Sequence, residues 1–374
     1  MAEVMEMLEA RVTALSEYFK SDEPKILKFE LKNSSDQDLY VLKWYTPLEG
    51  LISNCLKVWR DNEYVEYDGP LFKRGRPGAQ DYVFIKAGET VSNNFNLDEA
   101  YSTSSVGRYR VDLNIEIKDF FIPGSEADFI KYLKVESNAG GRDVFTAGSE
   151  DAPIKNFKNE DIPDQVMSLN GDSTNFTVVE GEGAPLLTAG EISRGPSSEA
   201  KLKSAAPLVG TAKEPTFVGG TATQKAEVKK AHFDGYKLCT DALDGLANDA
   251  DYVEWFGVHT AARFDIVKQT FSKVKSRMES TVFEYQLDPG PSCRDNTYAY
   301  THSGDTKIYL CALFWSAPAT GTDSKAGTVL HEHTHASAST DDLAYGQTNC
   351  RALARSKPDD AIKNADNYEY YSGG

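Results

Sequence analysis

The stretch that most constrains this chain is His-Glu-His-Thr-His at 331–335. His331 and His335 are four positions apart, and a helix places such residues on one face, one above the other. Two imidazoles arranged that way can grip one metal ion, zinc above all. Glu332 falls between them, placed to act as a general base on water. The chain has only six histidines, and three of them crowd into this window. The spacing therefore predicts a helix that faces a metal site, with His333 turned off that face as a supporting or surface residue.

A catalytic zinc takes three protein ligands and keeps a fourth position open. A third histidine at 341 would complete one common pattern, but that position is Asp341. A glutamate on a later helix is one alternative. Asp341 and Asp342 are nearer, just past the turn that must follow the helix. A carboxylate ligates zinc and also offsets its charge. Residue chemistry alone leaves both aspartates open.

The flanks carry a resemblance. The segment 339–346 reads Ser-Thr-Asp-Asp-Leu-Ala-Tyr-Gly. H-E-x-x-H followed by this run resembles the aspzincins, the deuterolysin-like zinc metalloendopeptidases, whose motif is G-T-x-D-x-x-Y-G. Ser339 stands where that family usually has glycine. The likeness takes in Trp255-Phe256-Gly257, Ala261 to Phe264, Tyr298-Ala299-Tyr300, and the segments 308–328 and 364–371. It is closest to the peptidyl-Lys metalloendopeptidase branch. It implies one catalytic Zn2+ held by His331, His335 and Asp342, with Glu332 as base. Tyr345 would donate its hydroxyl to the developing oxyanion. Only six residues separate His335 from Asp342, a short span for the family, and Asp341 competes weakly for the role.

Asp366 and Glu369 are three apart, which puts both on one helical face. Two carboxylates at a cleft suit a lysine ammonium. In the lysine-specific branch the aligned pair forms the pocket for the residue just after the cut. The resemblance also matches Cys293 with Cys311 as a disulfide. Cys239 and Cys350 are expected to pair, because similar sequences lack both, which leaves Cys55 free.

At 374 residues, two domains are expected. The fold class follows from patterning: an N-terminal antiparallel β-sandwich at 1–180, then a mainly α zinc-protease domain with a small β-hairpin or sheet at 222–374. Residues 3–20 read as a short helix, with Val4, Leu8, Val12 and Leu15 at helical spacing. From 25 to about 117, short runs alternate apolar and polar between turn signals. Within this half, 42–50 and 73–77 resemble the pro-region of the same family. Residues 118–165 look like an insertion, and 173–179 like a closing strand. Gly, Ala, Pro, Ser and Thr dominate 181–221, which reads as a flexible linker. Beyond it, helices are expected near 222–248, 251–278 and 323–336, with a β-hairpin region near 281–312. A last helix at 346–370 is interrupted by Pro358.

The net charge of −17 argues against nucleic acid and anionic membranes as partners. No apolar run approaches the ~20 residues that span a bilayer. The first residues lack the features of a signal peptide, whereas the resemblance implies a secreted zymogen. The expected partners are protein or peptide substrates with lysine after the scissile bond. The chain's own N-terminal domain is expected as inhibitor or folding aid, freed by cuts before Lys201, Lys203 or Lys213. Two other readings stand beside this one: a deuterolysin-like protease of broader specificity, and an exported binding or toxin-like protein with a structural zinc. An intact Glu332 and Tyr345 speak against the last, since a structural site needs no base.

Overall fold

Strands form in the N-terminal half wherever short apolar runs alternate. They are β1 (Leu8–Ala14), β2 (Tyr18–Lys20), β3 (Ile26–Asn33), β4 (Leu39–Leu42), β5 (Leu56–Arg60), β6 (Glu63–Val65), β7 (Leu71–Arg74), β8 (Tyr82–Ile85), β9 (Thr90–Asn96), β10 (Gly107–Leu113), β11 (Ile115–Ile117), β12 (Phe120–Phe121), β13 (Met167–Leu169) and β14 (Thr174–Val179). The computed structural model describes residues 7–124, 167–169, 171–181 and 210–374. Most of the expected insertion at 118–165 lies outside them.

One sheet runs β1-β3-β9 and another β2-β14-β10-β5-β6. Strand β3 buries Leu27, Phe29 and Leu31 at every second position. These meet Val58, Val111, Phe176 and Val178 in one apolar core. The pairings in both sheets are antiparallel except β2 with β14.

Of the helix expected at 3–20, residues 3–6 lie outside the described residues, and the rest instead forms strands β1 and β2. Leu8 and Val12 are four apart, a spacing that also satisfies a strand, where even-numbered residues share a face. Seven residues of β1 pair with β3, and that ladder decides the local structure.

The C-terminal half contains β15 (Thr216–Val218), α1 (Ala222–Gly245), α2 (Ala250–Phe256), α3 (Ala261–Ser280), β16 (Glu284–Gln286), β17 (Thr297–Thr301), β18 (Lys307–Leu310), α4 (Ala312–Ser316), α5 (Lys325–Ala338), α6 (Gln347–Ser356), α7 (Pro358–Ala361) and α8 (Ala365–Tyr371). The single helix expected over 251–278 breaks at Gly257, whose φ of 77° lies in the region glycine favours. The last helix divides into three, with Pro358 opening the middle one, where its missing N–H costs nothing. Helices α1, α3, α5 and α8 enclose a core that includes Val267, Phe271, Leu330 and Tyr368.

Residues 216–218, expected within the linker, form a strand beside β16. Lys213 is tied down as well: its N–H donates to the Met278 carbonyl at 2.7 Å, and its carbonyl lies 3.1 Å from His232 Nε2. Lys201 and Lys203 lie outside the described residues. Cys293 and Cys311 form the expected disulfide. Cys239 and Cys350 do not pair; both are free and buried, as is Cys55. The Cys239 thiol faces the Phe271 carbonyl at 3.4 Å and the Cys350 thiol faces that of Ala344 at 3.6 Å, so the two are engaged by different partners.

The sheet of this half runs β15-β16-β18-β17-β7. Its edge strand, β7, belongs in sequence to the N-terminal half.

Candidate active site

Helix α5 begins at Ser324, whose hydroxyl accepts from the Gly327 N–H at 3.0 Å. It ends at Ser339, a left-handed residue with φ 55° and ψ 44°. That conformation explains why glycine suits this position. Between the caps, His331 and His335 project from one face with their Nε2 atoms 3.0 Å apart. Asp342 Oδ1 lies 3.2 Å from the first and 3.3 Å from the second.

The outer ring nitrogens are held too. His335 Nδ1 is 2.8 Å from the Thr340 carbonyl, so it carries the proton and leaves Nε2 free to ligate. His331 Nδ1 is 2.8 Å from Asp366 Oδ1. Such outer partners fix ring orientation at metal sites. The loop carrying Asp342 hangs on Asn364, whose Oδ1 accepts from the Leu343 and Ala344 N–H groups at 2.7 and 3.1 Å. Asp341 is drawn elsewhere by its own N–H, which donates to the Lys363 carbonyl at 2.8 Å.

The residues fit a cation. Asp342 Oδ1 and Glu332 Oε2 are buried without hydrogen-bond partners among the described residues, a costly state for carboxylate oxygens. Among the described residues, two groups could hold a metal ion: His331, His335 and Asp342, and His331, Asp366 and Glu369. Asp341 is in neither. The first group supplies two nitrogens and one oxygen, a donor set that suits zinc. Burial opposes charge on His331, but Asp342 and Asp366 outweigh it and raise its pKa to about 10. Burial also works against the Asp342 carboxylate, yet His335 and His331 hold it well below the usual range. Burial raises Glu332 to about 7, against the pull of the two imidazoles.

Asp366 and Glu369 share the buried face of α8, as their spacing predicted. Room for Glu369 comes from Gly327 on α5, where a Cβ would meet Glu369 Oε1 at 2.6 Å. The pocket is filled by the chain itself. Lys73 Nζ lies 2.8 Å from Glu369 Oε2, 3.0 Å from Asp323 Oδ1 and 3.3 Å from Asp366 Oδ1. Burial disfavours its charge, but Asp366 and Glu369 more than compensate and hold its pKa well above the ordinary lysine value.

Strand β7 runs antiparallel to β17, with Ala299 opposite Lys73 and Tyr300 opposite Phe72. The Lys73 N–H donates to Glu332 Oε1 at 3.2 Å, and the Phe72 N–H donates to Asp342 Oδ2 at 2.7 Å. The next residue, Arg74, pairs with Glu49 at 2.8 and 3.1 Å. Tyr345 is enclosed by the N-terminal half: its ring meets Trp44 edge-on at 5.7 Å and stacks on Tyr45 at 6.1 Å.

His333 faces away from the metal cluster but is fully buried, so it is not a surface residue. Its Nε2 is 3.1 Å from the Tyr285 hydroxyl. Sequence reasoning did not find Lys73, Asp323 or Asn364 as site residues. The signals were the likeness of 73–77 to a pro-region and the place of Asp323 and Asn364 inside the matching segments 308–328 and 364–371.

The cluster brings together His331, His335 and Asp342, which could hold a metal ion, with Glu332, Asp366 and Glu369 beside them and strand β7 laid along β17. Residues 244–373 match the model of the Aspzincin M35 family, described as lysine-specific metallo-endopeptidase. A peptidyl-Lys metalloendopeptidase of Pleurotus ostreatus is 37% identical over 165 residues, covering 42% of this chain and 95% of the relative. An extracellular protease of Aeromonas hydrophila is 28% identical over 381 residues, 98% of this chain and 91% of the relative. A solved zinc peptidase from Grifola frondosa shares 32% identity over 41% of this chain and 96% of that one, with a TM-score of 0.39. The chain belongs to the aspzincin M35 family, and it is a metalloendopeptidase.

Proposed function

We propose that this chain is the proenzyme of a zinc endopeptidase that cuts on the N-terminal side of lysine. Its N-terminal domain inhibits it by seating Lys73 in the pocket meant for substrate lysine. One observation carries the reading: Lys73 gives its ammonium to Asp366 and Glu369 and its amide nitrogen to Glu332. A lysine in this register presents the peptide bond before it to the base. The peptidyl-Lys relative of Pleurotus ostreatus supports that choice of side chain. We assign residues 1–180 to the inhibitory domain and the packed region from 210 onward to the protease.

His331, His335 and Asp342 would hold the metal. Zinc, when bound there, supplies a Lewis acid that acidifies water and polarises the scissile carbonyl. Glu332 takes the proton of the attacking water. It can then return that proton to the leaving amine. Its Oε1 accepts from the Lys73 N–H at 3.2 Å, and in this reading Lys73 stands in for the residue after the cut. The main chain is aligned by antiparallel pairing with β17, as substrates added to a sheet edge are. Tyr345 donates to the oxyanion once Trp44 and Tyr45 withdraw.

The test is digestion of a denatured proteome by the activated, zinc-loaded protein, with new N-termini read by mass spectrometry. Lysine should dominate the first position, and a Glu332→Gln control should generate no such termini. Cuts without lysine enrichment would favour a broader-specificity protease and end the lysine reading.

A further inference from the structure

We propose that Asp323 is a third specificity residue, which grips the lysine ammonium from the rim of the pocket; this rests on the lysine reading above. An ammonium has three N–H donors, and Lys73 Nζ meets three carboxylates: Glu369 at 2.8 Å, Asp323 at 3.0 Å and Asp366 at 3.3 Å. The rings of Tyr298 and Tyr370 stand 5.4 Å from the same nitrogen and wall its sides.

The three acids are not equivalent. Asp366 is shared with His331 Nδ1 and the Gly346 N–H. Glu369 is fully buried against α5. Asp323 keeps 39% of its side chain exposed even with Lys73 in place, so it is the charge that an incoming lysine meets first. Its position is built. It occupies the turn residue before the α5 cap with φ 53°, a conformation that aspartate and asparagine tolerate better than most side chains. The Tyr370 hydroxyl donates to its Oδ1 at 2.9 Å and fixes the carboxylate. Three acceptors converging on one point suit a compact ammonium. A guanidinium spreads its donors in a planar fork, which matches acceptors converging on one point less well.

Asp323→Asn tests this with little disturbance, since asparagine keeps the shape, the turn and an acceptor for Tyr370. In a zinc-loaded full chain carrying Lys73→Ala to empty the pocket, matched peptides with lysine or arginine after the cut are compared. The variant should raise KM for the lysine peptide about tenfold, leave kcat within about twofold and leave the arginine peptide nearly unchanged. The lysine-to-arginine ratio then falls about tenfold. A ratio equal to that of the parent, in a parent that prefers lysine, overturns the role of Asp323 alone. A parent with no preference overturns the lysine reading, and this inference with it. Should Asp323→Asn not fold, Tyr370→Phe frees the carboxylate without touching the turn, and the same ratio decides.

Discussion

Lys73→Ala should unlock the full-length chain. Lys73 is completely buried, and its ammonium meets carboxylates at 2.8, 3.0 and 3.3 Å. Removing one member of a buried ion pair costs about 3–5 kcal/mol when its partners stay buried. Here water can enter the space Lys73 leaves and rehydrate Asp366 and Glu369 while β7 stays in place, so the weakening of the closed state is smaller, about 2–3 kcal/mol. The pairing of β7 with β17 survives the substitution, and Arg74 remains on Glu49 within its own domain. At 1.4 kcal/mol per tenfold, the open fraction should rise about 30- to 150-fold. The assay is the initial rate on a quenched lysine peptide, using zinc-saturated protein shown by mass spectrometry to be uncut. A folded, metal-replete Lys73→Ala chain no faster than wild type would mean that Lys73 does not block the cleft.

Asp342→Ala should lower zinc content while Asp341→Ala leaves it unchanged, as elemental analysis would report. Glu369→Ala should relax selectivity and keep the metal, whereas Asp366→Ala should weaken both, because Asp366 also props His331 Nδ1 at 2.8 Å. His232 gives a pH signature away from the site. Its Nδ1 is 2.8 Å from the Tyr285 hydroxyl and its ring lies 5.5 Å from that of His333, while burial lowers its pKa to about 4 despite the Lys213 carbonyl and nearby Glu214. Between about 4 and the unfolded value of ~6.5, the unfolded chain binds the extra proton. The stability this histidine contributes is therefore complete above ~6.5 and lost as pH falls toward 4, on the order of 3 kcal/mol. Thermal melts of His232→Gln should show a flatter acid limb than wild type.

What could be read from the chain alone was local. His331, Glu332 and His335 declare themselves because one helical turn sets their geometry. Asp366 and Glu369 share a helical face by their spacing, but their reading as a pocket needed the family resemblance. Asp342 needed the flanking motif, and its loop is held by Asn364, 21 residues beyond Leu343. Lys73 was out of reach for a different reason. Its contacts to Glu332 and Asp366 span 259 and 293 residues, and nothing in Leu-Phe-Lys-Arg marks one edge strand among many. Leu8 and Val12 fit both periods, so only the partner strand β3 could separate helix from sheet. Residues 210–218 read as linker from their Gly, Ala, Thr and Pro, yet Lys213 and Thr216–Val218 are held by backbone bonds to α3 and β16. Cys239 and Cys350 had no geometric signal at all.

The central claim is that the ammonium of Lys73 occupies the specificity pocket, and amine labelling tests it without relying on turnover. The zinc-loaded Glu332→Gln chain would be treated with an acylating reagent, and each lysine followed by mass spectrometry. Lys230 and Lys237, with side chains 67% and 70% exposed, set the fast limit. Lys73 should stay unmodified far longer, and an excess of a lysine peptide should speed its labelling where the arginine analogue does so much less. Labelling of Lys73 as fast as Lys237, with no effect of the competing peptide, would contradict the account.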